Sequence, residues 1–377
     1  MKKYLIFFAI SLSIFLGHAI TTRHAIYGDG NGYYVTAWSL LYDHTFKSDT
    51  ILDHLKNFKG KDYTFSRIFW DENKNPYSVG TSIFWIPSMA IASVFSSNNL
   101  DLLHELGPGI TGIIFMLAGL FFIEKYLQNF YTPRTAFFTI LTLFIGSNLF
   151  YYATLEPALS HQPAFFLIAF LLYWTRDLKD KSSNYLLLGI LFGLVQITRI
   201  ADTFLLIPIF FALKLDLKKI ILIGLGFVVG MAPQITAQYY YYGTVAKNFY
   251  VTEASNQWSF KIVHLFEYLF SYQKGMFVWS PIYLLGIYGL VRLKKYLILA
   301  TFIFIWCLGA FWSEHSSMTA GFGQRLAIAS TPYLAIGIAY CYDKFKPTKQ
   351  VLYTTLFALW NIFLLYGFYI LKWKNLS

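Results

Sequence analysis

The chain has 377 residues, of which 56% are hydrophobic, 20% are aromatic and only 13% are charged, and its mean hydropathy is +0.49. A soluble domain carries about 25% charged residues, so this composition excludes an ordinary soluble protein and indicates a polytopic membrane protein. The formal net charge of +11 comes from basic residues at the ends of apolar segments, as the positive-inside rule describes. We therefore expect membrane lipids, and no nucleic acid, as partners.

The first apolar segment covers residues 4–20 and directly follows Lys2 and Lys3. A basic start and an apolar run also characterise a signal peptide, but the many apolar segments that follow favour an uncleaved first helix. Its basic N-terminus is then cytoplasmic. The polar stretch from about residue 22 to residue 105 becomes a long first outer loop.

This loop opens on a glycine-rich motif in which Gly28 and Gly30 flank Asp29, directly beyond the first membrane boundary. Glycine lacks a Cβ and adopts positive φ, so backbone or substrate can approach the Asp29 carboxylate closely. Residues 33–41 then predict a short helix, apolar on nearly every face and suited to a membrane interface. The alternative is a turn in which Asp29 only caps this helix.

Residues 81–95 are apolar but number only about 15 and contain Pro87, whereas a transmembrane helix needs about 20 residues. We expect this segment to lie against the outer leaflet without crossing. Each short loop rich in Lys and Arg then falls on the inner side, whereas a crossing helix here would place those loops outside, against the positive-inside rule.

The sequence therefore predicts an all-α polytopic membrane protein, a single domain over residues 1–377 with about 11 transmembrane helices. The predicted spans are residues 4–20, 106–123, 135–152, 162–175, 185–200, 201–213, 220–242, 276–290, 296–311, 326–341 and 351–371.

This topology places most candidate functional groups on the outer side, where ionisable side chains at membrane depth are costly and usually functional. They are Asp29, Tyr33, Glu156, His161, Arg199, Lys274, His315 and Arg325. For Arg199 the alternative is a structural ion pair with Asp202, three residues later.

A carboxylate at a membrane surface, facing several basic side chains, suits sugar transfer from a phosphate carrier. The acceptor hydroxyl loses a proton as it attacks the anomeric carbon, and Asp29 is the candidate general base. The leaving phosphate gains charge, and Arg199, Lys274 or Arg325 is expected to hold it, arginine through a bidentate fork. The chain contains no nucleophile elbow, HExxH helix or P-loop, so the corresponding hydrolase and NTPase classes are excluded.

Six pieces of the chain, in the expected order, resemble the bacterial polytopic glycosyltransferases of the glycosyltransferase C superfamily, in the branch related to protein O-mannosyltransferases. They are the motif around Asp29 with Tyr33, residues 76–80 before the second interfacial segment, residues 156–161, Thr198 with Arg199, residues 274–281, and residues 321–325. The resemblance implies a helix bundle whose first outer loop carries two interfacial helices, with Asp29 as the catalytic residue. It also implies a polyprenyl-phosphate sugar donor and an inverting transfer on the periplasmic face of the bacterial inner membrane.

Two points are left open by the resemblance. Many members follow the Asp with Glu, whereas Gly30 follows Asp29 here, which weakens metal binding at this motif. Glu156 and His161, in the second acidic outer loop, are candidate ligands for a divalent cation such as Mg²⁺ or Mn²⁺. The alternative is that they cap helix ends and form hydrogen bonds between helices. The acceptor is a lipid, a glycan or a protein, and the lack of a large soluble C-terminal domain disfavours a protein.

Two other classes compete with this interpretation. A membrane transferase of the O-antigen polymerase or ligase type usually places its critical loop late in the chain, whereas the longest outer loop here is the first. A lipid-linked sugar transporter predicts related halves and helices broken at mid-membrane, and the sequence shows no related halves.

Overall fold

The computed structural model of the chain describes residues 2–59, 75–245, 258–312 and 321–369. In these residues the structure is helical, and the only β-pairing is an isolated bridge between Trp258 and Trp312. The prediction of an all-α protein is therefore confirmed for the described residues.

Seventeen α-helices form the described part of the fold. They are α1 (Lys2–Thr22), α2 (Gly30–Trp38), α3 (Asp49–Lys59), α4 (Gly80–Phe95), α5 (Leu102–Leu127), α6 (Pro133–Ile145), α7 (Leu149–Thr154), α8 (His161–Arg176), α9 (Ser182–Thr198), α10 (Ile207–Ala212), α11 (Leu217–Tyr242), α12 (Ile262–Phe270), α13 (Met276–Trp279), α14 (Ile282–Arg292), α15 (Tyr296–Phe311), α16 (Thr331–Asp343) and α17 (Pro347–Tyr369). A π-helical turn at Ser39–Asp43 extends α2, and 3-10 helices at Ile200–Leu206 and Arg325–Ser330 precede α10 and α16.

Four of these helices, α1, α5, α11 and α17, are long and apolar enough to cross a membrane. Six shorter apolar helical segments accompany them, including α4, α9 and α15. The chain is therefore a membrane protein with several candidate spans. The predicted number of about 11 spans stays a prediction, and the predicted end of the last one, at residue 371, lies outside the described residues.

Two predicted spans are not continuous helices, which corrects the sequence interpretation. The span at 135–152 is broken between α6 and α7, and the span at 276–290 is broken between α13 and α14. The two breaks bond to each other: the backbone N–H of Asn148 donates to Ser280 Oγ at 3.2 Å, and Tyr283 OH donates to Asn148 Oδ1 at 2.8 Å. Irregular backbone at membrane depth needs such internal partners, and the apolar pattern alone does not reveal them.

The loops separate into two groups at opposite ends of the helices. Helices α1 and α5 run antiparallel, because Lys3 contacts Glu124 near the end of α5 and the Ala25 N–H donates to Glu105 Oε2 near its start, at 3.0 Å. We call the end that holds Lys3 the basic end. Further loops predicted to lie inside meet there, through Lys219 with Asp180 and Arg134 with Gln350.

The first loop forms a small apolar core of its own against the main bundle. All nine residues of α2 are buried, so the predicted interfacial helix is covered by protein, as apolar residues on nearly every face require. Helix α4 packs beside α2 but leaves Ile91, Val94 and Phe95 exposed. These exposed apolar side chains fit the predicted contact of α4 with lipid.

Candidate functional site

The structure brings Asp29 and Arg325 together from opposite ends of the chain. The Arg325 guanidinium Nη2 donates to Asp29 Oδ2 at 2.6 Å. Tyr77 OH donates to the other carboxylate oxygen, Oδ1, at 3.3 Å. The Asp29 side chain keeps 38% of its surface exposed, whereas that of Arg325 keeps 13%. The carboxylate is thus fixed by two donors and still accessible.

Asp29 precedes α2 but does not cap it with its side chain. Its backbone is already helical, with φ −58° and ψ −25°, and its carboxylate makes no hydrogen bond to the N–H groups of the first turn. A capping Asp has an extended backbone and accepts such a bond. The capping alternative is therefore not what the structure shows, and the side chain turns to Arg325 instead.

The backbone conformation of one glycine and the tight packing of two others set the position of Asp29. Gly28 adopts φ +51°, a conformation that residues with a Cβ rarely take. A Cβ on Gly30 would lie 2.3 Å from the carbonyl oxygen of Ala158, and one on Gly32 would lie 2.0 Å from the Tyr77 ring. The carbonyl oxygen of Ala158, in the loop that follows α7, therefore leaves no room for a side chain at position 30.

Arg325 is held by a loop that contains two glycines and is anchored in the aromatic core. Gly321 and Gly323 adopt φ +140° and +63°. Between them Phe322 is buried, stacks on Tyr151 at 4.9 Å between ring centroids, and donates its backbone N–H to Tyr152 OH at 3.1 Å. Burial disfavours the charge of Arg325, but the nearby acidic groups, Asp29 first among them, together outweigh this and raise the pKa of Arg325 above its ordinary value.

Lys274 lies near Arg325 in a buried position. A compact turn fixes it to the end of α12, because the Gly275 N–H donates to the Ser271 carbonyl at 2.7 Å. Burial lowers the pKa of Lys274, and the positive charge of Arg325 lowers it further. Lys274 and Arg325 thus place two positive charges close together, and an anion that bound there would stabilise both charged forms.

Arg199 belongs to a neighbouring polar network. Its Nε donates to Asp202 Oδ2 at 2.7 Å, and its Nη1 lies 2.9 Å from Nδ1 of His161 and 3.4 Å from Ser160 Oγ. Tyr33 OH joins by donating to Ser160 Oγ at 3.1 Å. The side chain of Arg199 is 12% exposed and that of Asp202 is 1% exposed. This geometry matches the structural ion pair with Asp202, which the sequence analysis gave as the alternative role of Arg199.

Comparisons with protein-family models, with curated proteins and with solved structures find no match for this chain. The resemblance to the glycosyltransferase C superfamily therefore rests on the six sequence pieces and stays a prediction.

The surroundings of Glu156 and His161 do not fit a divalent cation. Glu156 Oε1 accepts a hydrogen bond from Tyr151 OH at 2.6 Å. The ring of His161 faces the guanidinium of Arg199, which only donates hydrogen bonds and would repel a cation. Among the residues that the structure describes, no three His, Cys, Asp or Glu side chains are grouped as metal ligands. His315, another predicted site residue, lies outside the described residues.

The sequence interpretation did not assign Tyr77 and Tyr152 to the site, although Tyr77 lies within one predicted motif and Tyr152 shortly precedes another. Tyr77 follows Pro76 in the piece quoted from the first loop, and its backbone is tied to α2 through Asn75, whose side chain bonds Gly32 O and Thr36 Oγ1, both at 2.7 Å. Tyr77 was therefore visible in the motif, but its contact with Asp29 depends on a fold that brings residue 77 back to residue 29.

Proposed function

We propose that the protein is a membrane glycosyltransferase that moves a sugar from a polyprenyl-phosphate carrier to an acceptor hydroxyl. The observation that carries the proposal is the Asp29–Arg325 pair, an accessible carboxylate held 2.6 Å from a guanidinium. The buried Lys274 lies close to Arg325 and adds a second positive charge. A base next to an anion site is what inverting transfer from a phosphate carrier requires.

In the proposed reaction Asp29 takes the proton of the acceptor hydroxyl. The acceptor oxygen forms a bond to the anomeric carbon of the sugar, from the face opposite the carrier, so the configuration inverts. The bond between that carbon and the carrier phosphate breaks, and its electron pair goes to the phosphate oxygen. Arg325 and Lys274 stabilise the charge that develops on this oxygen.

The ion pair suggests how donor binding prepares the base. Without donor, the Asp29 carboxylate is neutralised by Arg325 at 2.6 Å. A phosphate that binds between Arg325 and Lys274 competes for the same guanidinium and weakens its hold on Asp29. The carboxylate is then available to the acceptor hydroxyl. Arg199 is assigned a positioning role in this scheme, since its Nε and Nη1 already contact Asp202 and His161.

An exposed apolar surface next to Lys274 fits the lipid part of the donor. Helix α12 exposes Ile262, Phe266 and Phe270, which repeat at i, i+4 and i+8 and therefore share one face. The turn that holds Lys274 begins directly after this helix. We assign this face to the first isoprene units of the carrier, with the phosphate at Lys274 and Arg325.

The basic end of the bundle indicates how the protein is oriented in the membrane. Lys and Arg favour the cytoplasmic side of a membrane, and the basic end lies opposite the loop that follows α1. We infer that Asp29 and its neighbours face the outside, which in a bacterial inner membrane is the periplasm. The acceptor is then a lipid, glycan or protein hydroxyl presented on that face.

Mass spectrometry of envelope glycolipids and glycoproteins tests this function. A strain without the protein should lose one glycosylated product and accumulate the polyprenyl-phosphate sugar. The wild-type chain and the control variant Asp49→Asn, an exposed acid of the same loop, should restore the product, and Asp29→Asn should not. Loss of long polymers with normal glycosylated monomers would instead indicate a polymerase or ligase and contradict the proposal.

A further inference from the structure

A groove of about 410 Å³ opens at the basic end of the bundle, away from Asp29. It lies between the C-terminal end of α8, the end of α10 and the turn that joins α14 to α15, and we call it the basic groove. Its polar lining includes Arg176, Lys294 and Lys295. None of these residues takes part in the proposed transfer.

The groove exists because one helical segment is too short. The 3-10 helix Ile200–Leu206 and α10 together rise roughly 23 Å, whereas the hydrocarbon core of a bilayer is about 30 Å thick. Pro208 joins the two parts, and α10 ends at Ala212. Side chains from α5, α8, α15 and α16 surround this end, and a concave surface remains where the segment stops.

The mouth of the groove is positively charged. Arg176 ends α8, and Lys294 and Lys295 form the following turn. The acid beside them is Asp177, which lies 3.4 Å from Arg176 Nη1 and has 73% of its side chain exposed, so water screens most of its effect. Lys294 adopts φ +55°, a left-handed conformation that costs free energy for any residue with a Cβ and that glycine usually fills after a helix.

The inside of the groove is apolar and opens toward lipid. Leu172 and Ile209 are buried in its wall, whereas Phe211 and Tyr296 at its rim are 70% and 62% exposed. Exposed aromatic side chains of this kind are typical of the boundary between lipid and water. The groove therefore has three basic side chains on its water side and an apolar channel on its bilayer side.

We propose that the basic groove binds an anionic phospholipid of the surrounding membrane. Arg176, Lys294 and Lys295 hold the phosphate headgroup, and the start of one acyl chain lies along Leu172, Ile209 and Phe211. The volume of about 410 Å³ is too small for a whole phospholipid, so the rest of the lipid stays in the bilayer. Basic pockets between transmembrane helices are known to hold anionic headgroups, and each Lys or Arg near the surface contributes about 1 kcal/mol, or about fivefold in affinity.

Native mass spectrometry tests the headgroup site, on protein equilibrated with equal amounts of phosphatidylglycerol and phosphatidylcholine in mixed micelles. The variant combines Arg176→Gln, Lys294→Gly and Lys295→Gln; the glycine removes backbone strain and so favours folding. We expect phosphatidylglycerol retention relative to phosphatidylcholine to fall by about a hundredfold. The matched control changes Lys344, Lys346 and Lys349 to Gln, at the same end but outside the groove, and should keep the wild-type ratio.

A second variant tests the acyl-chain part of the site. Ala212→Trp fills the groove from an exposed position and leaves all three cations in place, and it should lower phosphatidylglycerol retention at least tenfold. Soluble glycerol 3-phosphate, at the same concentration as the lipid, should not displace it. Equal retention by the groove variant and the control, unchanged retention by Ala212→Trp, or displacement by glycerol 3-phosphate would each overturn the proposal.

Discussion

At the scale of single residues, the site consists of two ion pairs with different accessibility. Asp29 is 38% exposed beside Arg325, whereas Asp202 is 1% exposed beside Arg199. A partly exposed pair is weak and easily exchanged for a ligand, but breaking a buried pair leaves an uncompensated charge and strongly destabilises the fold. The first pair therefore suits substrate binding and the second suits structural support.

This difference predicts opposite effects of the same conservative change at the two arginines. Arg325→Lys should weaken donor affinity by roughly 1.5–3 kcal/mol, since lysine replaces the guanidinium fork with a point charge. Arg199→Lys should instead lower the thermal unfolding temperature and leave donor affinity within a few-fold of wild type. Both are measured by titration of the purified protein with polyprenyl phosphate and by thermal unfolding. If Arg199→Lys weakened donor affinity and Arg325→Lys lowered only the unfolding temperature, Arg199 would be the residue that holds the phosphate.

The pH dependence of donor binding tests Lys274. Burial and the charge of Arg325 lower the pKa of Lys274, so its amine loses the proton at a lower pH than an exposed lysine does. Because the protonated form binds phosphate, donor affinity should fall as pH rises through this lowered pKa. Lys274→Arg keeps its charge and should shift the alkaline loss of affinity to higher pH. An identical alkaline limb in both proteins would exclude Lys274 as a donor ligand.

At the scale of elements, the position of Asp29 depends on how closely α2 approaches its neighbours. Gly30 lies against the carbonyl of Ala158, where a Cβ would be 2.3 Å from the oxygen. The glycines of this motif therefore serve packing first, and only Gly28 is required for its φ of +51°. A shift of α2 would move the Asp29 carboxylate away from Arg325.

Gly30→Ala tests this packing. We expect a loss of about 1–3 kcal/mol in the free energy of unfolding, the usual effect of adding a methyl group to a filled site, together with reduced transfer. The control is Gly224→Ala in α11, where a Cβ meets nothing within 4 Å, and it should be neutral or slightly stabilising. Equal stability of the two variants, measured by thermal unfolding, would show that α2 tolerates the displacement.

The helices differ in how well the sequence predicted them. The predicted span at 296–311 coincides with α15, because uninterrupted apolar residues between Lys295 and Trp312 leave no alternative. The breaks at 146–148 and 280–281 were not predicted. The hydrogen bond from the Asn148 N–H to Ser280 Oγ, which links the two breaks, forms only after folding. Residues whose partner lies far along the chain carry no local signal of that partner.

At the scale of the whole molecule, the charge pattern predicted which loops lie at the same end, and the residue contacts agree for Lys3, Arg134 and Lys219. The sequence also predicted that Asp29, Arg199 and Arg325 belong to one region. It did not predict that Asp29 pairs with Arg325 while Arg199 pairs with Asp202. Charge asymmetry sorts loops by side, but the pairing within one side depends on tertiary packing.

Thiol labelling of intact cells tests the inferred orientation. In a background with Cys307 and Cys341 changed to Ala, single cysteines at Asp49 and Thr244 should react with an impermeant reagent. Cysteines at Ser182 and Thr348 should react only after permeabilisation, which also controls for reactivity. Asp49, Ser182 and Thr348 are exposed in the folded protein, and Thr244 is partly exposed. Labelling of the cysteines at Ser182 and Thr348 in intact cells would show that the site faces the cytoplasm and would contradict the inferred topology.

Asp29 is the proposed base of the sugar transfer, and the transfer rate of Asp29→Asn in liposomes with a polyprenyl-phosphate sugar donor tests this role. A general base contributes typically about 10²–10⁴-fold to the rate, so we expect a loss of that size. Asn keeps the size and the acceptor oxygen of Asp, so the unfolding temperature should change little, and Asp49→Asn should transfer at the wild-type rate. A folded Asp29→Asn variant that transfers sugar as fast as the wild-type protein would contradict the account.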